Sequence, residues 1–276
     1  MKNNLLITIL LIFLTSCSTN NEVNDNFSMN SDDVTLYNQA MIKLKKKEFT
    51  EAIDIFAELE IQYPYSPWAA RGQLFTGFAH YTSNEYDEAI LSLSKFVELN
   101  PNHPLIPYAI YLKAYSYFER IPDINLDQKF STRAYDEFSE LINRYPKSKY
   151  ARKSKKHITK LKNHLAAKEI KVGKFYQSKG DYLAAIKRYK IVLKQYRKSK
   201  LVSESIYRLI ESYVALGLVK QSYYLYKILE FNFPKSKWKK EGLILVEKYK
   251  LNKNLKKYKK KQLDLEKLKP LDLELI

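Results

Sequence analysis

One cysteine in 276 residues leaves no intramolecular disulfide framework and no cysteine-rich metal site. Six glycines and nine prolines are too few for a loop-rich or disordered chain. No apolar run reaches the roughly 20 residues that a membrane-spanning helix needs. Glycine-rich phosphate loops, nucleophile elbows and zincin motifs are all missing. Histidine is scarce too: His80 stands at a packing position, His103 falls in a turn, and His157 and His164 lie two helical turns apart without carboxylates at ligand spacing. Nothing here gives a positive reason to expect an enzyme, a metal or a soluble cofactor.

What the chain does have begins with an export signal. Lys2 supplies a short positive start and "LLITILLIFL" (5–14) an apolar segment, closed by "LTSC" (14–17). This tetrapeptide resembles the bacterial lipobox. The resemblance implies a diacylglycerol on the Cys17 thiol, cleavage before Cys17 and an N-acyl lipid on the new terminus, which together give stable multi-chain anchoring. Ser18, in place of an aspartate, favours the outer membrane. Residues 1–16 are therefore expected to be a signal peptide, and the polar stretch 17–33 a lipidated flexible tether.

The formal net charge is +18. Lysine, asparagine and isoleucine are all abundant, as in proteins of AT-rich genomes, so the lysines read as a solvated face. A nucleic-acid partner is not expected outside the cytoplasm. Anionic headgroups or an acidic protein surface stay open as partners through screened electrostatics.

A turn recurs five times: "YPYSPWA" (63–69), "NPNHPLI" (100–106), "YPKSKYA" (145–151), "YRKSKLV" (196–202) and "FPKSKWK" (233–239). Ala52, Ala89, Ala134, Ala185 and Ser222 each stand twelve residues before the proline position, and bulky Phe56, Leu93, Phe138, Tyr189 and Tyr226 follow four residues later. Another apolar-periodic stretch precedes each of these. The unit is helix, tight turn, helix, proline turn, and it resembles the tetratricopeptide repeat. A small residue lets two helices approach, the bulky one fills the groove, and proline ends the second helix. The expected fold is all-α, a tetratricopeptide-like helical-repeat superhelix of five helix pairs. Repeats one to three occupy 34–150, a connecting helix with repeats four and five 151–247, and a basic tail 248–276. The longer second step, between the turns at 100 and 145, maps to an inserted loop inside repeat three, "RIPDINLDQ" (120–128). The third, the longest, maps to a proline-free run, 149–180, expected as one helix of nearly thirty residues.

In such repeats the first helix of each pair lines an inner surface. That places Tyr37, Met41 and Leu44, then Leu74, Phe78 and Tyr81, then Tyr111, Tyr115 and Phe118 there. An aromatic-lined surface suits an extended peptide with apolar side chains. Tyr37, Met41, Phe78, Tyr81, Tyr111 and Tyr115 are the candidate peptide-binding residues.

The lipobox, tether and five repeats together resemble the BamD family, outer-membrane lipoproteins of the bacterial β-barrel assembly machine. "FTEAIDIFAELEIQYPYSPWA" (49–69), "LDQKFSTRAYDEFSELINRYPKSKYA" (126–151) and "HLAAKEIKVGKFYQSKGDYLAAIKRY" (164–189) carry the likeness, which spans roughly 34–245. The resemblance implies a non-enzymatic scaffold that docks the POTRA domains of the barrel-forming subunit BamA and works beside other assembly lipoproteins. It also implies recognition of unfolded outer-membrane proteins by the N-terminal repeats. A POTRA-contacting arginine of the family falls on Arg188, within "GDYLAAIKR" (180–188). Arg197, in place of proline, and the lysine-rich tail depart from the pattern. The alternatives are a generic repeat lipoprotein coordinating cell-wall or division proteins, and a hydrolase with a helical appendage, for which no second domain is evident.

Overall fold

A computed structural model describes residues 31–249, so Cys17, the signal, nearly all of the tether and residues 250–276 lie outside the described residues. The described residues form eleven helices. Five pairs follow one another: α1 Asp32–Lys45 with α2 Phe49–Gln62, α3 Pro67–Thr82 with α4 Tyr86–Leu99, α5 Ile106–Glu119 with α6 Lys129–Arg144, α7 Lys149–Ser178 with α8 Tyr182–Gln195, and α9 Val202–Ala215 with α10 Val219–Asn232. A single helix, α11 Lys237–Lys248, ends the series with Gly242 and Val246 buried. This is an all-α helical-repeat fold. Two compact units meet at Gly72 and Gln73, within α3. The proline-free run is one helix, α7, of 30 residues, and 120–128 is the loop between α5 and α6.

The repeated turn works through its ends. In each copy the first residue's carbonyl accepts a hydrogen bond from the backbone N–H three residues on: Tyr63 from Ser66, Asn100 from His103, Tyr145 from Ser148, Tyr196 from Ser199, and Phe233 from Ser236, all at 2.8–3.0 Å. Proline occupies the second position of this β-turn, whose φ near −60° any residue can adopt. Arg197 therefore substitutes without changing the turn. The residue that closes each turn accepts a backbone bond just ahead of the next helix, and Ser66, Ser148 and Ser236, which stand directly before their helices, cap them. Ser66, Ser148, Ser199 and Ser236 accept through Oγ, and His103 through Nδ1, from the backbone N–H two residues later. Such a cap satisfies one of the helix's otherwise unpaired donors and contributes about 1 kcal/mol.

The tight turn inside a pair has its own rule. Five residues before the small residue, Lys47, Asn84, Gly180 and Gly217 all have φ between +63° and +79°. The next residue's N–H then reaches five residues back, as in Glu48 to Lys43, Glu85 to His80, Asp181 to Tyr176 and Leu218 to Tyr213. This 6→1 bond ends a helix through a left-handed residue. Repeat three lacks it because the inserted loop takes its place.

Packing follows the small-then-bulky pattern. Ala52, Ala89, Ala134, Ala185 and Ser222 are wholly buried, and the five bulky residues are at most 3 % exposed. Four of the bulky side chains lie against glycines: Phe56 on Gly72, Leu93 on Gly77, Tyr189 on Gly173 and Tyr226 on Gly242. In repeat three no glycine is available, and Phe138 instead stacks flat on His157, rings 5.0 Å apart and 10° from parallel.

Gly173 shows which force decides. Alanine would favour a helix interior by about 1 kcal/mol over glycine. A Cβ at Gly173 would run into the Tyr189 ring, with Cδ1 and Cζ at 2.8 Å. That ring is wholly buried, and its hydroxyl donates to Gln177 Oε1 at 2.6 Å. Overpacking of this kind costs about 1–3 kcal/mol, so packing outweighs propensity. Gly173→Ala is expected to lower the melting temperature despite its better helix former, and Gly173→Ala with Tyr189→Leu to recover part of the loss, both read by thermal unfolding.

Candidate functional site

In the first unit, Tyr37 leans on Trp68 at 4.8 Å and on Phe56 at 6.0 Å, and the Arg71 guanidinium sits 4.7 Å above the Trp68 ring. Asp33 fixes the start of α1. It accepts from the hydroxyls of Ser31 and Ser66, the latter at 2.6 Å, and from the Val34 N–H at 2.8 Å. Those hydroxyl bonds, Ser31 first, hold its carboxyl below the usual range. Met41 is half-buried. Leu44, expected on the inner surface, is 8 % exposed and belongs to the core.

In the second unit, α3 and α5 present a continuous run of rings. Tyr81 meets Tyr86 at 5.9 Å and Tyr115 at 6.1 Å. Tyr115 stacks on Tyr111 at 5.8 Å and on Phe118 at 5.6 Å, each pair 29° from parallel. Tyr111 continues to Tyr150, which meets Tyr108 at 5.2 Å. Spacing of three and four residues on α5 puts Tyr108, Tyr111, Tyr115 and Phe118 along one face. Phe78 packs edge-on to Phe75 at 6.5 Å. Tyr81, Tyr111 and Tyr115 are thus brought together, whereas Leu74 is wholly buried core. The sequence reading missed Tyr150, because it sits at the start of the long helix instead of on a repeat's inner stripe. Burial is the main cause that raises Tyr81, Tyr108, Tyr111 and Tyr115 above their ordinary 10.0, with Tyr108 pushed up to about 12. The run therefore offers neutral phenol tips and π faces, suited to apolar side chains and backbone amides.

Arg188 lies on α8, half-exposed as its place beside Tyr189 implies. Its Nη1 is 3.3 Å from Glu169 Oε2 on α7, a partner the sequence reading did not find. The two residues are nineteen apart in sequence, beyond any local helix spacing. One long contact leaves most of the guanidinium's five donors available to a second carboxylate.

The insertion is tied down by α7. His164 Nε2 lies 2.7 Å from Gln128 Oε1, and Lys168 donates to the carbonyls of Asn125 and Leu126 at 3.3 and 3.2 Å. His164 is a bracket for the loop. Among the described residues no three His, Cys, Asp or Glu side chains are placed to hold a metal ion, and no helix is long and apolar enough to cross a membrane.

His157 completes the aromatic run from the α7 side. It stacks on Phe138 and meets Tyr115 and Phe118 edge-on, each at 5.0 Å. The Tyr111 hydroxyl is 3.5 Å from its Nε2, and its Nδ1 is buried with no partner among the described residues. Repeat spacing does not single out His157, which lies nineteen residues after Phe138, whereas Gly72 and Gly242 lie sixteen after Phe56 and Tyr226. Burial, helped by the charge of Lys160, pulls His157 below its ordinary 6.5, and burial likewise lowers His164. The fold favours the neutral ring. Its contribution is therefore complete above the unfolded value and is lost as pH falls through the depressed folded one. Melting temperature is expected to drop on acidification below pH 6.5, and His157→Phe, which keeps the stack, to flatten that acid limb. An unchanged slope would assign the loss to carboxylates instead.

The YfiO family, described as outer membrane lipoprotein, matches residues 29–229. A curated relative from Caulobacter vibrioides, outer membrane protein assembly factor BamD, is 38% identical over 203 residues, covering 74% of this chain and 67% of its own. The factor of the same name from Rickettsia prowazekii is 34% identical over 252 residues, 90% of this chain and 99% of its own. That from Neisseria meningitidis serogroup A is 32% identical, covering 86% and 93%. With 74% or more of the chain aligned to each relative, and the inserted loop and the long helix inside the family match, the chain belongs to the BamD family of outer membrane lipoproteins.

Proposed function

We propose that this chain is an outer-membrane protein assembly factor: a non-enzymatic scaffold, anchored through lipid on Cys17, that holds the barrel-forming subunit BamA by its POTRA domains and receives segments of unfolded outer-membrane proteins. The family match along 29–229 carries this reading, since it includes the inserted loop and the long helix. The aromatic run from Tyr86 through Tyr115 to Tyr108 supports the receiving role. Tyrosines give large rigid contact area at low entropic cost and accept or donate at their tips. Tyr37, Met41 and Phe78 join the candidate set from their own positions on α1 and α3.

Arg188 is the proposed partner contact. Its exposed end next to Glu169 can take a second carboxylate bidentately, which lysine cannot. Affinity isolation from solubilised outer membrane is expected to recover a β-barrel protein with POTRA domains alongside other lipoproteins. Arg188→Glu is expected to abolish that recovery with the melting temperature within a few degrees of the parent, because an exposed single contact is worth about 1 kcal/mol or less. Lys187→Glu, one residue away and exposed, should leave recovery within about threefold by the same arithmetic. Equal losses in both would reduce the contact to diffuse charge. Recovery of cell-wall or division proteins without a barrel protein would favour the generic repeat lipoprotein.

The receiving surface is tested separately. Tyr81→Ala and Tyr115→Ala are each expected to weaken binding of an outer-membrane-protein C-terminal peptide by about 1–2 kcal/mol, measured by fluorescence anisotropy. Tyr→Phe at either position should retain most of the affinity. Unchanged binding in both alanine variants, with folding intact, would place the site elsewhere.

A further inference from the structure

A groove of about 530 Å³ lies between the inserted loop, the second half of α7 and the start of α9. Ile124, Ile170, Phe175 and Leu201 line it, and Lys171 and Lys174 stand on the α7 side. Phe175 is 58% exposed, an unusual state for a phenylalanine in a helix wall. No carboxylate among the described residues pairs with Lys171 or Lys174, whereas Glu204 on the opposite wall is engaged by Arg208 at 3.9 Å. The groove thus combines an apolar floor with two cations that no carboxylate of the described residues pairs.

We propose that its occupant is the C-terminal segment of the same chain, Leu271–Ile276. The tail begins basic: eight lysines and no acid stand in 248–261. Its acids come later, as Asp264 and Glu266, which Lys267 and Lys269 follow, and then as Asp272 and Glu274 in "PLDLELI" (270–276), where no base follows. Residues 271–275 alternate leucine with acid. Laid out as a strand, Leu271, Leu273 and Leu275 share one side. Asp272 and Glu274 share the other, about 6.6 Å apart at two residues' rise. Lys171 and Lys174 are three apart on a helix, with side chains about 5–6 Å apart at their base. The two spacings match, so each acid meets one lysine while the leucines turn to Ile170, Phe175 and Leu201.

Reach is no obstacle. The 21 residues from 250 to 270 can span up to about 70 Å. A tether long enough to span the distance holds the segment at roughly millimolar effective concentration, so even a contact of millimolar affinity is half occupied. The strap would be an internal competitor for any apolar, acidic peptide entering this groove, and would yield to one that binds more tightly.

Zero-length carbodiimide cross-linking of the full-length chain in detergent, followed by mass spectrometry, tests this. Asp272 or Glu274 is expected to link to Lys171 or Lys174 in about tenfold excess over the exposed Lys187 and Lys220, as a tethered site should. Lys171→Glu with Lys174→Glu should remove the preference, and adding Asp272→Lys with Glu274→Lys should restore it. Equal mixtures of light and isotopically heavy chains should give links within one mass form only. Links spread evenly over surface lysines, or mixed-mass links between chains, would overturn the proposal. So would failure of the fourfold exchange to restore the link, with helix content unchanged.

Discussion

The close approach of two helices, one reduced to a glycine so that the other can lay down a large side chain, is the contact on which the repeats depend. Glycine inside a helix costs about 1 kcal/mol relative to alanine. Losing a large buried aromatic costs about 3–5 kcal/mol. The exchange is favourable wherever a bulky ring gains full burial, as Tyr189 does on Gly173. Four of the six glycines are spent in this way, and the other two hold left-handed turns. So few glycines in a helical chain is therefore a consequence of the fold: each has a place that a Cβ would spoil or strain.

Repeat three solves the same problem without glycine, and the candidate site lies where it does so. His157 fits against Phe138 as a flat ring, and its stacking brings Tyr115, Phe118 and Tyr111 around it. Burial favours the neutral imidazole in that slot, where its Nδ1 has no hydrogen-bond partner among the described residues. The aromatic run and the repeat core are thus one structure, and the candidate peptide-binding residues are held in place by those that hold the helices.

Much of this was legible in the chain. The five turns, the long helix and the inserted loop follow from prolines, their absence, and uneven spacing. The small and bulky positions follow from a fixed offset of four residues. What pattern could not show is chemistry that links distant positions. Glu169 beside Arg188, Gln128 beneath His164, and Tyr150 behind Tyr111 are pairings between helices whose register no single-helix periodicity encodes. Leu44 and Leu74 share the stripe of the tyrosines yet face the core, since a helical stripe is wider than the surface it presents. The serine caps were likewise hidden behind the prolines that precede them.

The thirty-residue α7 has a geometric consequence. It carries His157 near one end and, through Glu169, touches Arg188 farther along. Between His157 and Glu169 there is no proline, no glycine and no turn, only about 18 Å of continuous helical rise. A helix of that length bends gently and does not fold. The aromatic surface and the arginine proposed as the partner contact are therefore mounted on one ruler. Whatever binds at either mark finds the other at a fixed distance and on a fixed bearing, so a two-point partner can be selected by its own dimensions.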